Sequence, residues 1–365
     1  VLLDLGNSPN SFYKPTTTTQ TNLAYEGGFL KGRIGVVYEY YYRVVNNMTR
    51  YIFIPRETGY SAFPSNDISM VNSGHELTLN LRPLSPKSKL SWILTLTGAY
   101  NKNVLTRLPN NAREIINNPG DQLNLPLLYR LGRSSFTNYL YNTKGVYASD
   151  ADVPIDPNTG LRTRINGVQL QGGDPIFADL NGDYVIDSRD LVAVGDPVPK
   201  VTGGLNNTFK YGQFNTYFTL FRDVLNTPLA YKFQQFYTPD ETSLTAMKAV
   251  PPISEYNYWQ QAGDNAMYPN PYTYRHNRSI GSFRYNQTLF MEDGSYWKLQ
   301  SVILGYSFGP KVLRRLKFDA LRVYISGRNL FVLTNYSGPN PENVSDLGRD
   351  NPYGYPNPRV YNFGV

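Results

Sequence analysis

One stretch, Asp179-Leu180-Asn181-Gly182-Asp183-Tyr184-Val185-Ile186-Asp187-Ser188-Arg189-Asp190, has the residue types and spacing to hold a hard cation. A calcium loop places oxygen ligands at positions 1, 3, 5, 7, 9 and 12. Here those are Asp179, Asn181, Asp183, the Val185 carbonyl, Asp187 and Asp190, with Ile186 as the apolar anchor at position 8. Two positions depart from the pattern: Tyr184 stands where glycine allows the sharp turn, and Asp190 is a shorter arm than the bidentate glutamate. The alternative is an Asx-rich turn whose side chains bond their own backbone. As a metal site the stretch would brace a long loop with structural Ca2+; the sequence requires no other cofactor.

Catalysis is harder to assemble. The two histidines, His75 and His276, lie outside any recognisable nucleophile context. Glu292 and Asp293 are adjacent, and on a strand they would point to opposite faces rather than flank a glycosidic bond. No catalytic residue is assigned, and the chain is not expected to be an enzyme. Contact with a substrate is better served by an aromatic loop carrying Tyr256, Tyr258, Trp259, Tyr268, Tyr272 and Tyr274, stiffened by Pro269 and Pro271. Such rings stack on sugars and give peptides apolar and hydrogen-bonding contacts. Their other role would be to pack the loop on its own fold or on a partner.

The elements that must position these loops read as β-strands. Ile34, Val36, Tyr38, Tyr40 and Tyr42 alternate with Glu39 and Arg43; Leu77, Leu79 and Leu81 alternate with Glu76, Asn80 and Arg82; Leu321, Val323 and Ile325 alternate with Arg322 and Arg328. Glu76, Arg82, Arg322 and Arg328 thus fall on the polar faces of these strands. From Trp297 to Phe308 the apolar phase slips by one residue, which a bulge near Gln300-Ser301 would restore. About ten strands follow from this criterion, counting weaker ones near 19–28, 135–148, 200–210 and 357–365. Helical signals are confined to Ala112–Ile116 and Lys311–Leu316. Short turns alternate with long segments, 45–68, 103–134, 149–198 and 223–288, as in barrels with short periplasmic turns and long outer loops.

Composition supports strands that meet two media. Tyr is used 31 times, against 18 Phe and 3 Trp, and its ring and hydroxyl suit a lipid–water boundary. No apolar run is long enough for a membrane helix, which leaves a transmembrane barrel open. With no Cys there is no disulfide framework or thiolate metal site. The net charge of +7 comes without a basic tract beyond Lys311–Lys317, so nucleic acid is not an expected partner.

Landmarks in fixed order make the chain resemble the SusC/RagA family of TonB-linked outer-membrane proteins. They run from Thr18-Thr19-Gln20-Thr21-Asn22-Leu23 through Tyr40-Tyr41-Tyr42, Val71–Leu77, the Asp179–Asp190 stretch, Gly195–Lys200, Glu292–Gly309 and Leu321–Phe331 to Tyr361-Asn362-Phe363. The resemblance implies an all-β fold: residues 1–365 as the C-terminal part of a 22-stranded antiparallel transmembrane barrel with long extracellular loops. It places the plug, the N-terminal barrel strands and the TonB contact upstream or on a separate chain, in keeping with the lack of a signal peptide at Val1. It departs from the pattern at Val365, where a terminal aromatic is usual. It further implies TonB-dependent import of glycans or peptides with a SusD-like surface lipoprotein. A receptor for metal chelates or vitamins, and a soluble secreted carbohydrate-binding β-sandwich, are the alternative readings.

Overall fold

The structure, a computed structural model, describes residues 8–53, 56–60, 62–117, 127–224, 257–269, 287–336, 340–344, 348 and 357–365. One antiparallel sheet dominates it. Its first four strands are β1 (Thr17–Phe29), β2 (Ile34–Phe53), β3 (Ala62–Leu81) and β4 (Leu90–Arg107). After nine short strands, β5 (Glu114–Asn117) to β13 (Leu191–Gly195), the sheet continues with β14 (Val201–Tyr211), β15 (Phe214–Val224), β16 (Tyr296–Ser307), β17 (Arg322–Thr334) and β18 (Val360–Gly364). Each sheet strand pairs with the one before it in the meander, so the connections fall alternately at two ends. Residues 30–33, 82–89, 212–213 and 308–321 make one end; β2 to β3, β4 to β14, β15 to β16 and β17 to β18 are joined from the strand ends at the other.

Register converts alternation into two faces. Ile34, Val36 and Tyr38 stand opposite Leu81, Leu79 and Leu77, and Leu81 and Leu79 stand opposite Leu94 and Leu96. On the reverse face Glu39 meets Glu76, Arg43 meets Asn72, and Asn72 meets Asn103. Aromatic rings bound the apolar face at both levels. Near the short turns Trp92 stacks on Phe209 at 5.5 Å, and Phe214 lies 4.7 Å from Tyr306. At the far level His75 sits among Tyr38, Tyr40 and Tyr100. Trp92 and Tyr100 lie eight steps apart on β4, roughly 26 Å along a strand and about 20 Å once tilted, close to the apolar height of a membrane barrel. β2 and β3, at 20 residues each, outrun that height.

The slip in β16 is a bulge at Gln300: Leu299 pairs with Leu220 and Phe331, Ser301 with Thr219 and Arg328, and Gln300 is passed over on both sides. Trp297 and Leu299 thereby share a face with Val302, Leu304 and Tyr306. On β17, Asn329 takes φ 54° beside it, so the partner strand adapts to the same irregularity.

Several expectations are corrected. Nine strands, not about ten, form the sheet among the described residues, because 135–148 folds instead into two short strands, Asn138–Tyr141 and Thr143–Val146, outside it. Ala112–Ile116 is not helical. The β-branched pair Ile115-Ile116 belongs to β5, and Ile115 packs on the cluster of Ile68, Leu105, Leu108 and Tyr129. Segment 45–68 is mostly strand. A sandwich is not what forms: among the described residues there is one continuous nine-stranded sheet and no second sheet of comparable size. The helix near Lys311 is present, as Pro310–Leu316.

The 108–200 connection carries its own small core of Tyr147, Val153, Ile165, Leu170, Phe177 and Ile186. Its two ends are brought together where Leu191–Gly195 pairs with Asn138–Tyr141.

Candidate functional site

The polar face of β1–β3 forms a concavity of about 340 Å³, lined by Gln20, Asn22, Glu39, Tyr41, Arg43, Asn72 and Glu76 among others. Glycine makes room for it. A Cβ on Gly74 would meet the Tyr41 ring at 2.5 Å and Asn101 Oδ1 at 2.6 Å, so only glycine lets Tyr41 lie across β3 and donate its hydroxyl to Asn101 Oδ1 at 2.6 Å. Arg43 Nε donates to Gln20 Oε1 at 2.6 Å, and Gln20 Nε2 donates to Asn22 Oδ1 at 2.7 Å. Glu39 and Glu76 face each other across the β2–β3 pair, an unfavourable like-charge juxtaposition unless a cation or hydrogen-bond donor sits over them. Amides, carboxylates, a guanidinium and a tyrosine together can grip a polar, many-hydroxyl or many-amide ligand.

Of these residues, sequence reasoning had placed Glu39, Glu76 and Arg43 on a polar face without joining them. Alternation shows which way a side chain points; the pairing of β2 with both β1 and β3 is what makes the cluster. Arg322 faces the same side as Ser326, and its guanidinium lies 5.8 Å from the Tyr324 ring. Arg82 is in a turn, outside this face, where its carbonyl accepts from Arg33 Nε.

The Asp179–Asp190 stretch is folded on itself. Asp179 accepts from the Gly182 and Tyr184 amides, Asp183 from Val185, and Asp190 from Leu180 and Asp187, all between 2.8 and 2.9 Å. Asn181 accepts from the Asp183 amide at 3.1 Å. Tyr184 adopts φ 59° at the position where a calcium loop uses glycine, and Ile186 is buried in the core as the anchor position requires. The donor types fit calcium, but Arg189 already supplies a cation. Its guanidinium bonds Asp183 and Asp187 at 2.7 Å each and holds the Asp187 carboxyl below the usual range. No cluster of three or more His, Cys, Asp or Glu side chains converges on a metal position among the described residues.

In the aromatic loop, Tyr256, Tyr272 and Tyr274 lie outside the described residues, as does His276. Trp259 is a brace: its indole N–H donates to the Ala148 carbonyl at 2.9 Å, and its ring lies where a Cβ on Gly173 would approach to 2.6 Å. Tyr258 and Tyr268 are joined by a backbone bridge, and the Gly263 amide reaches Ala148 at 3.0 Å. Asp264 accepts from the Gln260 and Gln261 amides, which hold its carboxyl below the usual range. The loop is therefore docked on the 108–200 insertion.

No catalytic group emerges from the remaining candidates. His75 lies on the apolar face, hydrogen-bonded through Nδ1 to the Tyr38 hydroxyl at 2.7 Å. Asp293 accepts from Ser295 N and Oγ as a turn before β16.

No family model matches the chain. It is 27% identical over 378 residues to TonB-dependent receptor P3 of Formosa agariphila, covering 100% of this chain and 35% of that protein. It is 26% identical over 361 residues to TonB-dependent receptor SusC of Bacteroides thetaiotaomicron, covering 97% and 32%. The fold is shared with the structure of the RagAB peptide transporter (TM-score 0.67, 16% identity, 95% of this chain and 34% of that one) and with the RagAB peptide importer in its closed-closed state (0.69, 16%, 95% and 35%). The chain thus spans about a third of the length of the relatives it matches. These relatives are receptors and transporters rather than enzymes.

Proposed function

We propose that this chain, a SusC/RagA-like β-barrel wall of the bacterial outer membrane, is the C-terminal part of a receptor that imports nutrient oligomers. The observation that carries this reading is the two-faced sheet: an apolar band between two aromatic levels on one side, and the polar Gln20–Glu76 concavity on the other. In the complete barrel the concavity would face the lumen, where it meets either passing substrate or a plug. The long connections, with the insertion and the docked aromatic loop, would face outward and meet a SusD-like lipoprotein. TonB would act through a region outside these residues. A calcium ion at Asp179–Asp190 would brace the insertion only after Arg189 swings off Asp183 and Asp187.

The SusC/RagA resemblance implies glycans or peptides, and the likeness to a peptide importer favours peptides; the polar concavity accepts both chemistries. The test is growth of a strain lacking the intact receptor on single glycans and on peptide mixtures, with metal-chelate uptake as control. Growth lost on one oligomer, and restored by the receptor only where TonB is present, supports import. Loss confined to a chelate or vitamin would establish the other receptor class.

A further inference from the structure

We propose that the short-turn end of this wall is a collar for the headgroups of anionic phospholipids. The inference rests on the barrel reading above. Across the four short turns the sequence places nine Lys and Arg residues against the single acid Asp319. Lys31 and Arg33 are in the first turn, and Arg82, Lys87 and Lys89 in the second; Lys311, Arg314, Arg315 and Lys317 ride on the helix between β16 and β17. The ion pairs among the described residues all lie elsewhere. The insertion at the opposite end is acidic: residues 138–196 hold nine Asp against four Lys and Arg.

Position decides the partner. Trp92, Phe209, Phe214 and Tyr306 mark the lower edge of the apolar band, and the cations begin immediately beyond it, at headgroup depth. Apolar groups reach down among them: Val312 and Leu316, one helical turn apart, are 41% and 48% exposed, and Phe318 is 56% exposed. That mixture of lysine, arginine and exposed hydrophobes suits an interfacial helix. A charge at the helix C-terminus answers its dipole, which accounts for Arg314 and Arg315 but not for the other turns. Two of the lysines are also held where glycine is usual, Lys31 at φ 56° and Lys317 at φ 58°.

The test uses the intact receptor in nanodiscs of mixed zwitterionic and phosphatidylglycerol lipid, with retained lipids counted by native mass spectrometry. Wild type is expected to retain the anionic lipid about fivefold over its share of the disc, from attractions that add cation by cation. The combined variant Lys311→Gln, Arg314→Gln, Arg315→Gln, Lys317→Gln should bring retention to parity. Lys87→Gln with Lys89→Gln, which leaves the helix untouched, should lower it in part. Parity in inserted wild type, unchanged retention in both variants, or equal displacement by soluble glycerol phosphate or polyglutamate would overturn the collar. A protein that does not enter the disc overturns the barrel reading, and the collar with it.

Discussion

Lys298 and Glu342 form an ion pair of 2.6 Å between the wall and the connection after β17, with the lysine side chain 8% exposed and the glutamate 23%. The Tyr296 hydroxyl and Asn357 Nδ2 converge on the same carboxylate. Lys298→Met should therefore free residues 340–344 and 357 from the polar face. A loss of about 2 kcal/mol of local stability is expected, below the full cost of breaking a buried pair because Glu342 keeps some contact with water. Faster amide exchange confined to this segment is the readout; unchanged exchange would show the pair to be incidental.

Trp259 and Gly173 should behave as one unit. Gly173→Ala drives a Cβ into the indole at a backbone φ of 86°, and Trp259→Ala removes the ring. Each single variant should loosen the 257–269 loop, and in the double variant the steric part of the glycine effect should vanish. Limited proteolysis of the four proteins measures the coupling; strict additivity would count against the packing described here.

Deleting Gln300 tests the bulge. Deletion removes the extra residue, so Trp297 and Leu299 fall on one parity with Val302, Leu304 and Tyr306 in a plain strand, and Lys298 stays on the lumen face. The deletion should therefore leave heat-modifiable, folded receptor in the membrane fraction, as should Gln300→Ala. Loss of folded receptor on deletion alone would count against a bulge that serves only to match faces.

That bulge was legible from sequence because a parity slip inside an otherwise regular strand has few physical remedies. The strands themselves were legible for the same reason: Leu77, Leu79 and Leu81 alternate with polar residues whatever their neighbours are. The concavity was not, since it depends on Glu39 meeting Glu76 and on Gly74 leaving space under Tyr41, both facts of register. The 135–148 segment misled because short strands of an insertion alternate as wall strands do. The sequence left Trp259 open between binding and packing, because its donor's acceptor is a backbone carbonyl 111 residues away, which no side-chain pattern announces.

Arg189 governs the fate of the acidic loop. Arg189→Ala removes the internal cation, and the freed Asp183 and Asp187 should then bind calcium more tightly than in wild type, by about tenfold. Calorimetric titration on the intact receptor, with magnesium as control, reads it out. Equal affinities would mean that the arginine does not compete with the metal.

The insertion should be sensitive at both ends of the pH scale. Asp156, bonded first by the Thr159 hydroxyl, and Asp187 in the insertion, with Asp264 in the loop docked on it, all have depressed carboxyl pKa values, so their stabilisation is complete above the unfolded value near 4 and fades as pH falls through the folded values. Tyr147 is pushed up to about 12 by burial, aided by Asp174 and Asp179. Its contribution is complete below an unfolded value of about 10 and is lost as pH rises toward 12. Amide exchange of residues 138–195 should accelerate below about pH 4 and above about pH 10. Tyr147→Phe should remove the alkaline arm.

The pairing of Leu191–Gly195 with Asn138–Tyr141 also bears on how the wall assembles. Joining β4 to β14 closes a connection of residues 108–200, against two residues for the turn between β14 and β15. Chain entropy makes the longer closure about 3 kcal/mol more costly. An insertion that has already folded around Tyr147 and Ile186 ties 138 to 195, so only the flanking stretches remain slack when the two strands meet. An insertion folded first would thus act as a splint during biogenesis, and a lesion in its core would be felt first as a wall that zips up slowly.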